Sequence, residues 1–474
     1  MWAACEWKEV RSMIFQTWPL LLGNMLEWYE FGVYGYLAKQ MTANFFDGSE
    51  INTWAVFSMT FVLRPVGGVI FGLIADHCGR RVAVVSSMIG MLVATVGQGA
   101  LPLLRCCGPT AGHFGLGALP VLRAVQGVSA GGEVGPIVTY FAESAPPGAK
   151  RLGTSAFVFS AVLAFMVASI FVQVLLSILG PEQLMDWGWR VPYLFSLLPG
   201  FVALWGRNRL EETAEFLAAK RSRACDSEAP PSSAVAEVAS RAPRSTRRVG
   251  WRGLCDHGRA LGVGFGSTVA CSCALYISIW ASAHQALWLS TVNMFVIAVV
   301  AACAARAADG LATNPFDGVT IGAACLALGG APVFALLAVF PGEVLLAMFV
   351  LSIGFGTLTG MSLSVSYNFV VELLPPHIRA LGYGLSYNLA MSWVGGTSAL
   401  VGAALELESA FAPGVYIIGL GLISLAVLLW GRHCHAANLL PTYPLTSEIA
   451  TAEGKGEIAA NEGARWPADA VVCA

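Results

Sequence analysis

The 474-residue chain is 56% hydrophobic and only 12% charged, with a mean hydropathy of +0.67. Soluble domains carry roughly 25% charged residues, so most of this chain has lipid or other helices for surroundings rather than water. The formal net charge of −2 says little about partners; nucleic acid is not expected among them, and 12 scattered cysteines without a C-x-x-C pair indicate neither a disulfide framework nor a metal or other cofactor site.

Apolar runs of near-spanning length recur along the sequence, at 12–38, 52–74, 82–104, 117–141, 154–179, 189–206, 259–280, 284–304, 318–340, 343–371, 379–404 and 412–431. Barrel strands would be shorter and alternate in polarity, so the expected fold class is an all-α membrane protein of about twelve transmembrane helices. The first run holds two carboxylates one turn apart, Glu27 and Glu30, with Asn24 and Tyr34 near the same face. An ionisable group at membrane depth costs at least about 2.5–3.5 kcal/mol, so each is a functional-site candidate by default.

Basic residues alternate in density between successive loops. Lys8, Arg11, Arg80, Arg81, Lys150, Arg151, Arg306 and Arg379 fall on one side, with a dense run from Arg207 to Arg259 and the tail residues Arg432, Lys455 and Arg465. The opposite loops hold Lys39, Arg105 and Arg190. That bias places both termini in the cytoplasm. The domain reading is an N-terminal six-helix half at 1–206, a flexible cytoplasmic linker at 207–258, a C-terminal half at 259–432 and a disordered cytoplasmic tail at 433–474. The halves echo each other: Glu143 before Pro146-Pro147 and Arg151 matches Glu372 before Pro375-Pro376 and Arg379. Repeated halves are a transporter architecture, with the solute bound between them near the midplane.

Between the second and third runs stands Gly72-x-x-x-Asp76-x-x-Gly79-Arg80-Arg81, where Gly79 permits a tight turn and the charges can pair across helix ends. This block resembles the signature loop of the major facilitator superfamily, with His77 in the usual basic position. Further blocks narrow the resemblance. They are Gly23-Asn24-x-x-Glu27-Trp28-Tyr29-Glu30-Phe31, Arg64-Pro-x-Gly-Gly, Arg123-x-x-Gln126-Gly127-x-x-x-Gly131-Gly132-Glu133, Trp187-Gly-Trp-Arg190 and Arg209-Leu-Glu211-Glu212. Together they are similar to the metabolite:proton symporter family, which includes proline/betaine, 2-oxoglutarate, citrate and shikimate transporters. The family's acid at position 30 is usually Asp; here it is one methylene longer. The likeness extends to about residue 216 and resumes at Glu372–Gly396, whereas the second-half copy of the gate loop retains only Arg306 and Asp309.

At 1.5 Å per residue, Glu30 lies ~27 Å along the first helix and Arg123 roughly 9 Å below the opposite face, so the two are expected to pair. The expected proton-coupling set is Glu30, Arg123 and Glu133. The expected solute-binding set is Asn24, Glu27, Tyr34, Arg64, Gln126, Tyr387 and Asn388. The expected gating set is Asp76, Gly79, Arg80, Arg81, Glu143, Arg151, Glu372 and Arg379. The resemblance implies a proton-coupled symporter, not an enzyme, moving a small zwitterion or a di- or tricarboxylate by alternating access. It would work as a monomer among the lipids of the plasma membrane. The competing reading, prompted by the eroded second gate loop, is a solute sensor that does not transport.

Overall fold

The computed structural model describes residues 2–78, 80–145, 149–208, 257–310, 314–375 and 379–443. The linker segment 209–256 and the tail from 444 onward lie outside the described residues, so the expectations for them are not addressed further.

The chain starts with helix α1 (Trp2–Gln16), then breaks before α2 (Trp18–Tyr36). The apolar run at 12–38 predicts a single span through this point. The break follows from Pro19, which lacks an N–H and is tolerated in a first turn; the Thr17 hydroxyl donates to the Met13 carbonyl at 2.8 Å. After the short α3 (Ala38–Phe45), Ser49 caps α4 (Glu50–Val62), which continues as α5 (Arg64–Cys78) and is followed by α6 (Arg80–Gly99). Next come α7 (Leu104–Ala130), α8 (Val134–Ser144) and α9 (Lys150–Gln183). Gly108 (φ 81°) and Gly180 (φ 73°) supply the sharp turns inside α7 and α9. A π-helical turn at Leu184–Gly188 leads to α10 (Arg190–Phe195) and α11 (Leu197–Asn208).

The second half holds α12 (Gly258–Gln285), α13 (Leu287–Gly310) and α14 (Pro315–Val339). Then α15 (Val344–Ala347) runs through a π-helical stretch, Met348–Phe355, into α16 (Gly356–Glu372). Likewise α17 (Arg379–Asn388) passes a π-helical stretch, Leu389–Gly395, into α18 (Ser398–Glu408), and α19 (Ala412–Ala436) closes the bundle. The final helix thus extends beyond the expected boundary at 432. Residues 437–443 also fold back rather than trailing away: the Tyr443 N–H donates to the Glu372 carbonyl at 2.6 Å, and Leu440 is buried.

Eight of the described segments are long and apolar enough to cross a membrane. Four further passes, α2, α7–α8, α10–α11 and α17–α18, complete the twelve. Three of those four carry the buried charges Glu27 and Glu30, Arg123 and Glu133, and Arg207. Polar content lowers their hydropathy where it matters to the site.

Close packing aligns the first half. Gly127 lies against the Thr60 carbonyl, Gly131 against that of Arg64, and Gly67 against that of Val128; a Cβ at any of them would enter the neighbouring backbone. The halves meet at both ends of the bundle, through α8 with α17 at the end bearing the termini and α4 with α18 at the other, while α9 packs along α13. Phe61 bridges them at mid-depth, with ring centroids 4.7 Å from Phe31 and 5.0 Å from Tyr276 and its ring against Gly396.

Candidate functional site

Among the described residues of the first half, the buried acids Glu27, Glu30 and Glu133 lie near the buried arginines Arg64, Arg123 and Arg207, and cross-helix geometry sorts them into separate units; a further buried arginine, Arg151, lies at the terminal end. Glu27 on α2 forms an ion pair with Arg64, the first residue of α5. Arg64 lies 5.8 Å from the Trp28 ring and 5.7 Å from the Phe31 ring, and its Nε and Nη1 make no hydrogen bond. Its guanidinium is also in electrostatic reach of Tyr276 and Tyr387 from the second half. This is the charge pair that sits on the seam.

Glu30 does not pair directly with Arg123, contrary to the expectation from depth. Gln126 stands between them: Arg123 Nη1 donates to Gln126 Oε1 at 2.8 Å, and Gln126 Nε2 donates to Glu30 Oε2 at 2.6 Å. Depth along two helices cannot reveal which residue of the i, i+3 pair on α7 reaches across. The Thr95 hydroxyl faces the same carboxyl, and Gln98 donates to Gln126 Oε1 at 3.3 Å. Arg123 lies 3.8 Å over the Tyr34 ring, whose hydroxyl donates to the Thr53 carbonyl at 2.9 Å. Tyr34 is therefore a floor under an arginine, not a side chain aimed at the seam.

Glu133 occupies the break between α7 and α8. Arg207 Nη1 approaches its carboxylate to 2.8 Å, and the Ser87 hydroxyl donates to it at 2.6 Å. Arg207 was assigned by sequence to the linker; it is instead the buried last-turn residue of α11. The only sequence signal for it was its place directly after an apolar run ending in Trp205-Gly206. Gly23 makes room for it, since a Cβ there would collide with the guanidinium.

Asn24 is used up in packing. Its Nδ2 donates to Ser160 Oγ at 2.6 Å and to the Phe157 carbonyl at 3.2 Å, and its Oδ1 accepts from Trp28 Nε1 at 2.9 Å. It turns toward α9, away from the acids. In the second half the Tyr387 hydroxyl is 2.8 Å from that of Tyr367, and Asn388 Nδ2 donates across the seam to the Gly131 carbonyl at 3.2 Å. The unpartnered hydroxyl of buried Tyr276, missed by the sequence reading, adds a third polar aromatic.

The terminal end holds an interhalf latch. Arg151 Nε and Nη2 lie 2.9 and 3.3 Å from the two Glu372 oxygens, and Nη1 donates to the Ala308 carbonyl at 2.6 Å. Asp309 accepts from the N–H groups of Arg151 and Leu152 at 3.0 and 2.9 Å, placing a carboxylate on the N-terminus of α9. The second-half loop thus keeps an acid that contacts the first half despite its poor sequence match. Arg379 donates to the Leu374 carbonyl at 3.2 Å. The side chains of Asp76, Arg80, Arg81 and Glu143, and Gly79 itself, lie outside what is described.

Similarity to known proteins agrees with this architecture. Residues 17–241 match the family described as "Sugar (and other) transporter". The chain aligns with the D-xylose-proton symporter structure at a TM-score of 0.65 and 16% identity, over 92% of this chain and 99% of that one. The first half thus resembles that transporter family, and the chain as a whole shares the fold of the symporter structure. It is thus a multi-pass integral membrane protein. A putative proline/betaine transporter of Staphylococcus aureus (strain COL) is 36% identical over 201 residues, covering 41% of this chain but only 42% of that relative. The ectoine/proline transporter of Corynebacterium glutamicum is 28% identical over 92% of this chain and 87% of its own length. The citrate-proton symporter of Klebsiella pneumoniae is 28% identical over 81% and 83%.

Proposed function

We propose that this protein is a proton-coupled symporter of a small zwitterionic solute of the proline, betaine or ectoine type. It would reside in the plasma membrane with both termini in the cytoplasm. The observation that carries the reading is the asymmetry of the site. The Glu27–Arg64 pair of the first half faces a seam whose second-half wall is aromatic and neutral: the buried charged residues described in that half are Glu372 and Arg379, both at the terminal end. Arg64 supplies a fork of donors for one carboxylate. Phe61, Tyr276 and Tyr387 offer ring faces and hydroxyls for the rest of the solute, including a cationic nitrogen. A second carboxylate, as in citrate, meets no buried cation on that wall at mid-depth among the described residues.

Glu30 serves as a proton carrier on this reading. Burial favours the neutral form of an acid and a nearby cation the charged form, so a carboxyl met by the neutral Gln126 amide and the Thr95 hydroxyl, with Arg123 one residue removed, can exchange its proton as access alternates. The Arg151–Glu372 latch and the Asp309 cap close the cytoplasmic side in this state and part when the site faces inward.

The test is uptake into proteoliposomes under an imposed pH gradient, acid outside. Radiolabelled glycine betaine or L-proline accumulates above equilibrium, and citrate does not. Glu30→Gln abolishes the accumulation while leaving solute exchange in place. Accumulation of citrate alone contradicts the zwitterion assignment, and full uphill uptake by Glu30→Gln removes that residue from coupling.

A further inference from the structure

We infer that Glu27 is the acid at which solute and proton meet: it occupies Arg64 as an internal stand-in for the solute carboxylate, and it accepts a proton when the solute displaces it. This inference rests on the symport reading above and divides the coupling within it: Glu27 takes up the proton when solute binds, and Glu30, one turn along the same helix, relays that same proton to and from it.

The pair lies where a solute between the halves would reach it. Arg64 is fully buried, anchored by its own carbonyl against Gly131, and faces Tyr276 and Tyr387 across the seam. Its Nε and Nη1 carry N–H donors without partners, so the guanidinium has capacity for a second carboxylate before the first leaves. The other two units are shut away inside the first half. Glu133 is bound by Arg207 and Ser87, and Glu30 by Gln126.

The exchange balances. Before binding, Arg64 carries one positive charge against one carboxylate, that of Glu27. A solute carboxylate then takes the guanidinium, and Glu27 is left buried without its cation. The charged groups facing it are Arg64 from α5, Glu133 from the α7–α8 break, Arg207 from α11 and Glu30 on its own helix, with the Tyr276 and Tyr387 hydroxyls on the opposite wall. Arg207 is already committed to Glu133, and Glu133 and Glu30 repel a bare carboxylate. Burying an unpaired charge is far more costly than burying the neutral acid, so Glu27 takes up one proton. No other bond forms or breaks. Proton and solute then occupy the site together, and departure of the solute returns Glu27 to Arg64 with release of the proton.

The sign of the pH dependence follows. Binding that consumes a proton tightens as pH falls, by up to about tenfold per unit. Glu27→Gln mimics the protonated acid and leaves Arg64 open, so its affinity for glycine betaine is at least that of the wild type at its acid limit and no longer varies with pH. Isothermal titration of the full-length detergent-solubilised protein with glycine betaine, repeated across pH, reads both. A Glu27→Gln protein whose affinity follows pH as the wild type does overturns the inference, and all the more if Glu30→Gln proves flat instead. A measurement on the wild type covers the case in which the variant fails to fold: betaine binding in two buffers of different ionisation enthalpy reports about one proton taken up per solute. No uptake overturns the exchange. Absence of binding by betaine, proline and ectoine to the wild type overturns the zwitterion reading itself, a distinguishable result.

Discussion

At the scale of single residues, pairings across helices are what the chain order hides. The spacing of Glu27, Glu30, Arg64, Arg123, Gln126 and Glu133 within apolar runs marked them as buried and costly, and all are buried. Which acid meets which base depends on helix rotation and on neighbours far away in sequence. Thus Gln126 rather than Arg123 touches Glu30, and Arg207, overlooked at the edge of a polar segment, holds Glu133. Removing one member of a buried pair leaves the other uncompensated, at a cost of about 3–5 kcal/mol. Arg207→Leu therefore lowers the thermal unfolding temperature far more than Arg207→Leu combined with Glu133→Leu. Equal melting temperatures for the single and double variants contradict a direct pair. Gly23→Ala, which crowds the same guanidinium, costs about 1–3 kcal/mol as an overpacked site.

Among the elements, the sequence was most legible where physics is local. Apolar length located the passes, and the glycine spacing on α7 announced close contact with a neighbour. That contact sets Arg64 in place, because Gly131 lies on its carbonyl. Gly131→Val would drive α5 and α7 apart and displace the Glu27–Arg64 pair. We expect betaine affinity to fall about tenfold or more while the helical content by circular dichroism stays at the wild-type value. Unchanged affinity would mean that Arg64 is positioned by something other than this crossing. The breaks were harder to read. The separation of α1 from α2 had a local cause in Pro19, but the π-helical stretches at Met348–Phe355 and Leu389–Gly395 have no evident marker in the sequence. They depend on how α16 and α18 settle against other helices.

For the whole molecule, polar contacts join the halves at several levels, with Gln173 donating to Thr291 along α9 and α13, and the described ion pair between the halves is the latch at the terminal end. Arg151 grips both Glu372 oxygens, and Asp309 caps the helix that carries Arg151. The internal echo between Glu143 and Glu372 pointed to this end of the bundle, but the capping by Asp309 was invisible because the loop around it has lost its motif. Glu372→Gln weakens the grip and shifts the population toward the inward-facing state. A cysteine placed at Ser155, buried near this end, is then alkylated faster by a membrane-impermeant maleimide added from the cytoplasmic side. An unchanged alkylation rate means that the latch does not govern access.

The account stands on solute and proton crossing together, and vesicles without any imposed gradient test this most directly. Proteoliposomes containing the wild-type protein and a trapped pH-sensitive dye are mixed with external glycine betaine. Inward solute flow carries protons with it, so the lumen acidifies, and the protonophore-collapsed control does not. Betaine uptake with no change in lumenal pH, or with lumenal alkalinisation, contradicts symport.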